Sequence, residues 1–253
     1  MIRGMYMAAM GMLNDMYRLD RISNDLANVD TPGYKADREA FRTYLEGIMT
    51  AEVPDPVRGR KLIPIGKLEG AVVLDEVRAV MSHGPLEYTG NPLDLAIDGE
   101  GFFAVEKSGK VLYTRAGNFK LDEQGRIVTT DGALLLSVEG KPIKVSRNVT
   151  ITRDGRVFDG GKEIARVGVY VFEDPQKLKK VGYTYFAPTE ASGDPKRGSI
   201  GIRQGYIERS NVNALRGMVE MIKALRHFEI SQRVVTSSDE LLGRLINNAG
   251  SLR

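Results

Sequence analysis

The sequence predicts an α+β fold: a heptad helix at each end of the chain, the two pairing as a coiled coil, with a mainly antiparallel β domain inserted between them. Three observations lead there. Apolar residues recur every three and four positions at the N-terminus, the same spacing returns near the C-terminus, and short β-rich runs punctuated by Asp-Gly fill the middle. With 253 residues, 42% hydrophobic and 27% charged, the chain is long enough for one large or two modest globular domains.

In the first segment, Ile2, Met5, Ala9, Met12, Met16, Leu19, Ser23 and Leu26 follow the heptad steps, and seven of these eight are apolar. Six of the ten methionines fall in the first 16 residues, with Met7, Met10 and Tyr17 off that seam. The front half of the helix is therefore apolar nearly all round and calls for burial on more than one side. Gly4 and Gly11, one heptad apart, would let a neighbouring helix approach closely, although each costs a helix about 1 kcal/mol relative to alanine. Arg3 followed by Gly4–Leu13 has the outline of a signal peptide, but it runs into Asn14-Asp15 with no small-x-small cleavage site, so the helix is the better reading. No apolar run approaches the ~18 residues needed to cross a bilayer, and no membrane insertion is expected.

Residues 47–70 contain Pro54, Pro56 and Pro64 with little periodicity, which reads as an irregular or extended connector between a first domain half at 1–46 and a β-rich domain at 71–206. The β runs of that domain include Leu93–Ile97, Phe102–Val105, Val111–Thr114, Ile127–Thr130, Val149–Thr152 and Val167–Phe172. Asp-Gly stands at Asp98, Asp131, Asp154 and Asp159, and Gln124 precedes Gly125, all favourable to hairpin turns that need positive φ. The final segment, 207–253, repeats the heptad steps at Met221, Leu225, Phe228, Gln232, Val235, Asp239, Leu242 and Ile246. Ser210, Asn211 and Asn213 supply candidate N-caps for it, and Asn247–Gly250 a stop. Two helices alone leave much apolar surface uncovered, so something else must cover it.

Composition excludes several kinds of chemistry. Without cysteine there are no thiolates, disulfides or sulfur-ligated zinc, and the two histidines, His83 and His227, lie too far apart in sequence to suggest a metal centre. Lys+Arg 36 against Asp+Glu 33 leaves a formal charge of +3 with no uninterrupted basic block carrying aromatics, so no nucleic-acid partner is expected. Gly99-Glu-Gly101-Phe-Phe-Ala104 imitates a dinucleotide fingerprint but continues into a β run, leaving no helix N-terminus for a pyrophosphate. Asp94, Asp98 and Glu100 form an acidic cluster without the alternate-position spacing of a calcium loop. They read as turn carboxylates, with acid/base work on a sugar as the competing use. His83 before Gly84-Pro85 and His227 beside Phe228 read as surface or packing histidines, and the Asn148-Val-Thr150 glycosylation triplet is discarded. No catalytic residue, metal or cofactor is expected.

Asn24-Asp-Leu-Ala-Asn-Val-Asp-Thr-Pro-Gly-Tyr-Lys35 resembles the N-terminal signature of bacterial flagellar rod and hook proteins. In it Asn28 and Asp30 can end the helix, Pro32 fixes φ, and Gly33 accepts a conformation that other residues resist. Gly90–Phe103, then Tyr113-Thr-Arg-Ala-Gly-Asn-Phe119 and Asp122–Gly125, are similar to the start of that family's β domain. Ser210-Asn-Val-Asn213 resembles its C-terminal element. Asp25 stands where the family commonly has Asn, the length suits a rod protein better than the longer hook protein, and the compact 140–209 region looks closer to the proximal than to the distal rod protein.

The resemblance implies a non-enzymatic axial subunit of the basal body, exported unfolded by the flagellar type III apparatus and polymerised in the periplasm into a hollow rod. Its partners would be copies of itself and neighbouring rod and hook proteins. The assembly faces would be the heptad residues Ile2, Met5, Ala9, Met12, Met16, Leu19, Leu26, Met221, Leu225, Phe228, Val235, Leu242 and Ile246. Asn24, Leu26, Ala27, Asn28, Thr31, Pro32, Gly33 and Tyr34 would form the signature turn. Phe41-Arg-Thr-Tyr-Leu45 fits the Phe-x-x-x-hydrophobic export element of early substrates, and the bland reading of Phe41 and Leu45 is local packing one helical turn apart.

Overall fold

The computed structural model describes residues 2–43, 46–55, 59–69, 72–146, 149–198 and 201–250. It divides into two compact units. The first holds Met1–Asn24, Glu39–Val77 and Leu215–Arg253, and the second holds Asp25–Arg38 and Arg78–Ala214. Residues 25–38, which hold the signature turn except Asn24, are thus grouped with 78–214.

In the first unit, helix α1 spans Ile2–Ala27 and helix α2 spans Ala214–Gly250. Polar residues inside α2 are accommodated locally: Thr236 Oγ1 donates to the Gln232 carbonyl at 3.2 Å and Ser238 Oγ to the Val234 carbonyl at 2.7 Å, each one turn back. The less exposed stripe of α1 runs Met5, Ala8, Met12, Asp15, Leu19, Ile22, Leu26, and that of α2 runs Gly217, Met221, Ala224, Phe228, Ser231, Val235, Ser238, Leu242. Both keep heptad steps, and both share with the expected seams only every second position. Met5, Met12, Leu19 and Leu26 agree, as do Met221, Phe228, Val235 and Leu242. The alternates move by one residue, and Ala9, Met16, Leu225, Gln232, Asp239 and Ile246 are exposed.

The physical reason lies in size. The alternate positions of α2 hold glycine, alanine and serine at 217, 224, 231 and 238, and an apolar count passes over them in favour of a bulkier neighbour. A Cβ placed on Gly11 would lie 3.7 Å from Ser231 Oγ, small residue against small residue.

The proline-bearing connector is more regular than its sequence suggests. Glu46–Asp55 and Gly59–Glu69 pair as antiparallel strands from Glu46↔Glu69 to Asp55↔Gly59, with a register shift between Met49 and Thr50 and Pro64 opposite Thr50. Proline is tolerated in a strand at an edge or an irregularity, and both outer edges of a two-stranded ribbon are open.

In the second unit, strand Phe102–Lys107 is the axis of a sheet that has nine strands among the described residues. On one side it pairs with Lys110–Thr114; on the other it is shared by Leu134–Leu135 (Leu135↔Val105) and Val169–Val171 (Val169↔Phe103). Alternation then sends its side chains into two cores. Phe103 and Val105 enter a cluster with Leu95, Ile127, Leu135 and Val157, whereas Phe102 and Ala104 enter another with Tyr113, Phe172 and Phe186. Phe102, Phe103, Ala104 and Val105 are all at most 3% exposed, as a strand covered on both faces requires.

The turn chemistry is partly as expected. Glycines 125, 132 and 155 take positive φ between successive short strands, but the preceding Gln124, Asp131 and Asp154 do not. Two consecutive positive-φ residues occur at Ser108-Gly109, which closes the hairpin from Phe102–Lys107 to Lys110–Thr114, and at Gly160-Gly161. Asp98-Gly99 closes no hairpin, because Leu95–Asp98 pairs with the distant strand Gly201–Gln204.

Candidate functional site

Two features stand out as functional: the apolar surface of the helices, and the place in the second unit where the three sequence motifs meet. α1 exposes Tyr6, Met7, Leu13, Met16 and Tyr17. α2 exposes Leu215, Met218, Ile222, Leu225, Ile230, Val234, Leu241 and Leu245, from 45% at Val234 to 74% at Leu215. Most of these side chains flank the less exposed seam, and exposed large apolar residues in this number on two helices mark an interaction surface. The two helices also contact each other through polar groups. His227 Nδ1 lies 2.5 Å from Asp15 Oδ2, and Arg21 lies 4.0 Å from Glu220. Both contacts, like that of Gly11 with Ser231, link an earlier residue of α1 to a later one of α2, an antiparallel order.

The signature turn is built from the end of α1. Asn28 N–H donates to the Asp25 carbonyl at 3.1 Å and Thr31 N–H to the Asn28 carbonyl at 3.2 Å, so the helix closes into successive turns. Asp25, the departure from the family pattern, accepts from the Tyr34 hydroxyl at 2.8 Å and from Asp37 N–H at 3.2 Å, two donors that suit a carboxylate. Gly33 has φ +68° and packs so closely that an added Cβ would sit 2.2 Å from Ala116 N, so both conformation and space demand glycine. Its N–H donates to the Glu208 carbonyl at 2.7 Å.

Around that contact lies a buried charge cluster that sequence reasoning missed. Glu208, 1% exposed, takes Lys35 Nζ on Oε1 at 2.5 Å, Arg115 on Oε2 at 3.1 Å and Gly84 N–H on Oε1 at 3.0 Å. Lys35 Nζ also donates to the Ser82 carbonyl at 2.7 Å, and the Arg115 guanidinium lies 5.3 Å above the Phe102 ring. Burial pushes the Lys35 ammonium down, with Glu208 opposing. Burial alone would push the Glu208 carboxyl up, but the Lys35 and Arg115 cations outweigh it and hold the group below its ordinary range. His83 Nδ1 lies 3.4 Å from Arg115 at the cluster's margin, and burial with Arg115 lowers its pKa.

The residues come from all three motifs. Lys35 closes the signature turn, Arg115 sits in Tyr113–Phe119, and Glu208 precedes Ser210-Asn-Val-Asn213 by two residues. Gly117 of the middle motif is fixed by space as well, since a Cβ there would lie 1.6 Å from the Leu95 carbonyl oxygen. Asn211 is not a cap of α2: its Oδ1 accepts from Ala36 N–H at 2.8 Å and its Nδ2 donates to the Val80 carbonyl at 2.8 Å, fastening the entry of the last helix to the exit of the first turn. Ser210 Oγ accepts from Val212 N–H at 3.2 Å, ahead of the helix. The one local sequence signal for this clasp is Arg115, the single charged residue of Tyr113–Phe119.

The acidic candidates are dispersed among local partners. Asp94 accepts from Thr89 Oγ1 at 2.6 Å and from Asn91 Nδ2 at 3.1 Å. Asp98 is bracketed by Arg203 at 2.9 Å and Arg153 at 3.3 Å, and the hydrogen bond from Arg203 leads the lowering of its pKa. Glu100 is exposed. Among the described residues no group of three or more His, Asp or Glu is placed to hold a metal ion, and no helix is long and apolar enough to cross a membrane. Leu45, the side chain of Phe41, the side chain of Ile2 and Asn148 lie outside the described residues.

The same segments carry the likeness to known proteins. Residues 96–158, which include Arg115, match the family described as flagellar hook protein FlgE/F/G D1 domain. Residues 203–248, which include Glu208, match the C-terminal family of flagellar basal body rod FlgEFG proteins. The chain is 33% identical to the flagellar basal-body rod protein FlgG of Bacillus subtilis (strain 168), over 98% of this chain and 99% of that protein. It is 33% identical to FlgG of Agrobacterium fabrum over 98% and 99%. The flagellar hook-basal body complex protein FlhO of Bacillus subtilis is 26% identical over the full length of both. With identity at this level across nearly the whole chain, and its motifs converging on one clasp, the protein belongs to the flagellar basal-body rod protein family.

Proposed function

We propose that this chain is a structural subunit of the flagellar basal-body rod that polymerises through its terminal helices into the hollow drive shaft and has no catalytic role. The observation that carries the reading is the set of large apolar side chains left exposed on both helices, from Tyr6 and Met7 in α1 to Leu241 and Leu245 in α2. Heterologous contacts between such faces repeat from copy to copy and generate an open helical filament. In this reading α1 and α2 of one subunit pair as an antiparallel coiled coil along the small-residue stripe. The expected heptad residues that face away from it, Ala9, Met16, Leu225 and Ile246, are turned toward other subunits.

Partners are copies of this chain and neighbouring rod or hook proteins. Delivery is by the flagellar type III apparatus, with Phe41 and Leu45 as the export element. The buried clasp ties the segment that follows α1 to the segment that precedes α2, both inside the second unit. The test is deletion of the gene followed by localisation of a gold-labelled subunit in purified basal bodies. The expected result is loss of motility with label on the rod, and the same images place the subunit proximally or distally. Complete, motile flagella in the deletion strain would overturn the reading.

A further inference from the structure

The two larger sheets of the second unit end, among the described residues, on five strands. Four of these are Lys120–Leu121, Lys162–Arg166, Lys179–Val181 and Lys196–Arg197, and each opens with an exposed lysine. The fifth, Val149–Ile151, carries no charge and is closed by another means. The Gln204 side-chain amide accepts from Ile151 N–H at 3.1 Å and donates to the Val149 carbonyl at 3.0 Å, the pair of bonds that a neighbouring strand would make.

An unpaired strand edge is a template for another strand, and a chain that assembles at high local concentration holds many copies of each edge close together. Apolar side chains sit beside the lysines, Ile164 at 41% exposure and Val181 at 38%, so the edges are not otherwise inert. A second edge docking there would have to strip water from an ammonium; strands 120–121, 179–181 and 196–197 offer it no carboxylate in an identical copy, and Lys162–Arg166 offers only Glu163 against two cations. Lys196 is paired with Glu173 and remains 67% exposed, so it too keeps its hydration.

We propose that Lys120, Lys162, Lys179 and Lys196 are specificity determinants of self-association: they keep the sheet edges of one copy off those of another, so that copies join only through their helices. The second half of that statement rests on the rod reading; the edge chemistry does not. The experiment compares three full-length variants. One carries Lys→Val at all four edge positions, one carries Lys→Glu at the same four, and a control carries Lys→Val at the exposed residues 110, 141, 144 and 177, which removes the same charge outside the four edge strands.

The edge Lys→Val protein should melt as the parent does and then form thioflavin-positive aggregates with a cross-β spacing, about tenfold faster or more. The Lys→Glu protein and the control should not. If the edge Lys→Val protein does not fold, the four Lys→Gln changes replace it, since they remove charge without adding apolar surface, and the same acceleration is expected. Aggregation no faster than the control, or equally fast with Lys→Glu, overturns the proposal. Adding Met218→Asp and Leu245→Asp separates the two ideas. β-aggregation must survive these changes, and its loss would route association through the helices and sink the edge assignment. Assembly of the parent sequence that persists with those two changes alone would count against the rod faces and leave the edges untouched.

Discussion

The two units of this protein solve opposite problems with the same alphabet. The β-rich unit is closed: its central strand is buried on both faces, and its buried Lys35 and Arg115 cations share the Glu208 carboxylate. The helical unit is open, with one stripe of each helix turned inward and large apolar residues outside it left to water. A unit of the first kind is finished as a monomer. One of the second kind, in the rod reading, is finished by other copies, because a helix draws most of its stability from packing and little from its own turns.

Hydrogen exchange on the dilute monomer is the most direct way to break this contrast. Strand Phe102–Lys107 should exchange only through global unfolding, whereas amides near both chain ends should open at little cost, a difference of roughly ten-thousandfold in protection. Equal protection throughout would show that the helices are complete without partners.

The next largest effect should come from the clasp. Glu208→Gln keeps the shape and an acceptor for Gly84 N–H but leaves the Lys35 and Arg115 cations buried without their counter-charge, which should cost about 3–5 kcal/mol in urea unfolding of the β-rich unit. The same change should leave the fast exchange near the chain ends as it was. A loss below about 1 kcal/mol would mean that water or other groups replace the carboxylate.

The contrast is also readable in acid. Glu208 and Asp131 both titrate below their ordinary range in the folded chain, Asp131 at about 2 through bonds from Lys107, Thr129 and Tyr185 that overcome the opposing effect of burial. A carboxyl depressed on folding contributes stability that is full above its unfolded pKa and is lost as pH falls through the folded value. The β-rich unit should therefore hold its stability down to about pH 4.5 and lose it progressively towards pH 2. Because the Asp131 side chain is 46% exposed, its share is about 1–2 kcal/mol after screening, and Asp131→Asn should flatten the acid limb by that amount in thermal melts. An acid limb that stays as steep in Asp131→Asn would assign the loss to other carboxylates.

Legibility in the sequence divides along the same line. Helix, β region and helix appear in the right order because periods of two and of 3.6 are local properties, and Gly33 and Gly117 announce the close approaches that need them. The clasp was invisible because Lys35, Arg115 and Glu208 lie as far as 173 positions apart, and no local pattern joins them. The seams were half legible. Large residues such as Met221 and Phe228 marked their layers, but the intervening layers are held by Ala224 and Ser231, whose value lies in letting backbones approach and not in hydrophobicity. The paired strands at 46–69 were hidden by prolines, which argue against strands only where an edge is covered.

The smallest predicted effect bears most closely on which face of α1 awaits a partner. Gly4 and Gly11 stand one heptad apart, yet the structure treats them differently: a Cβ on Gly11 would meet Ser231 of the same chain at 3.7 Å, an ordinary contact, while one on Gly4 would meet nothing within 4 Å. In the monomer either glycine changed to alanine should raise helicity by circular dichroism and stabilise α1 by up to about 1 kcal/mol, since both gain propensity and neither clashes. In the polymer they should part. Gly11→Ala occupies a space the chain already faces and should assemble like the parent. Gly4→Ala adds a methyl where, in the rod reading, only another copy can come close, and should assemble more weakly by light scattering despite its better helix. Equal assembly of the two would remove Gly4 from the contact and restrict the polymer face to the bulky residues Tyr6, Met7 and Leu13.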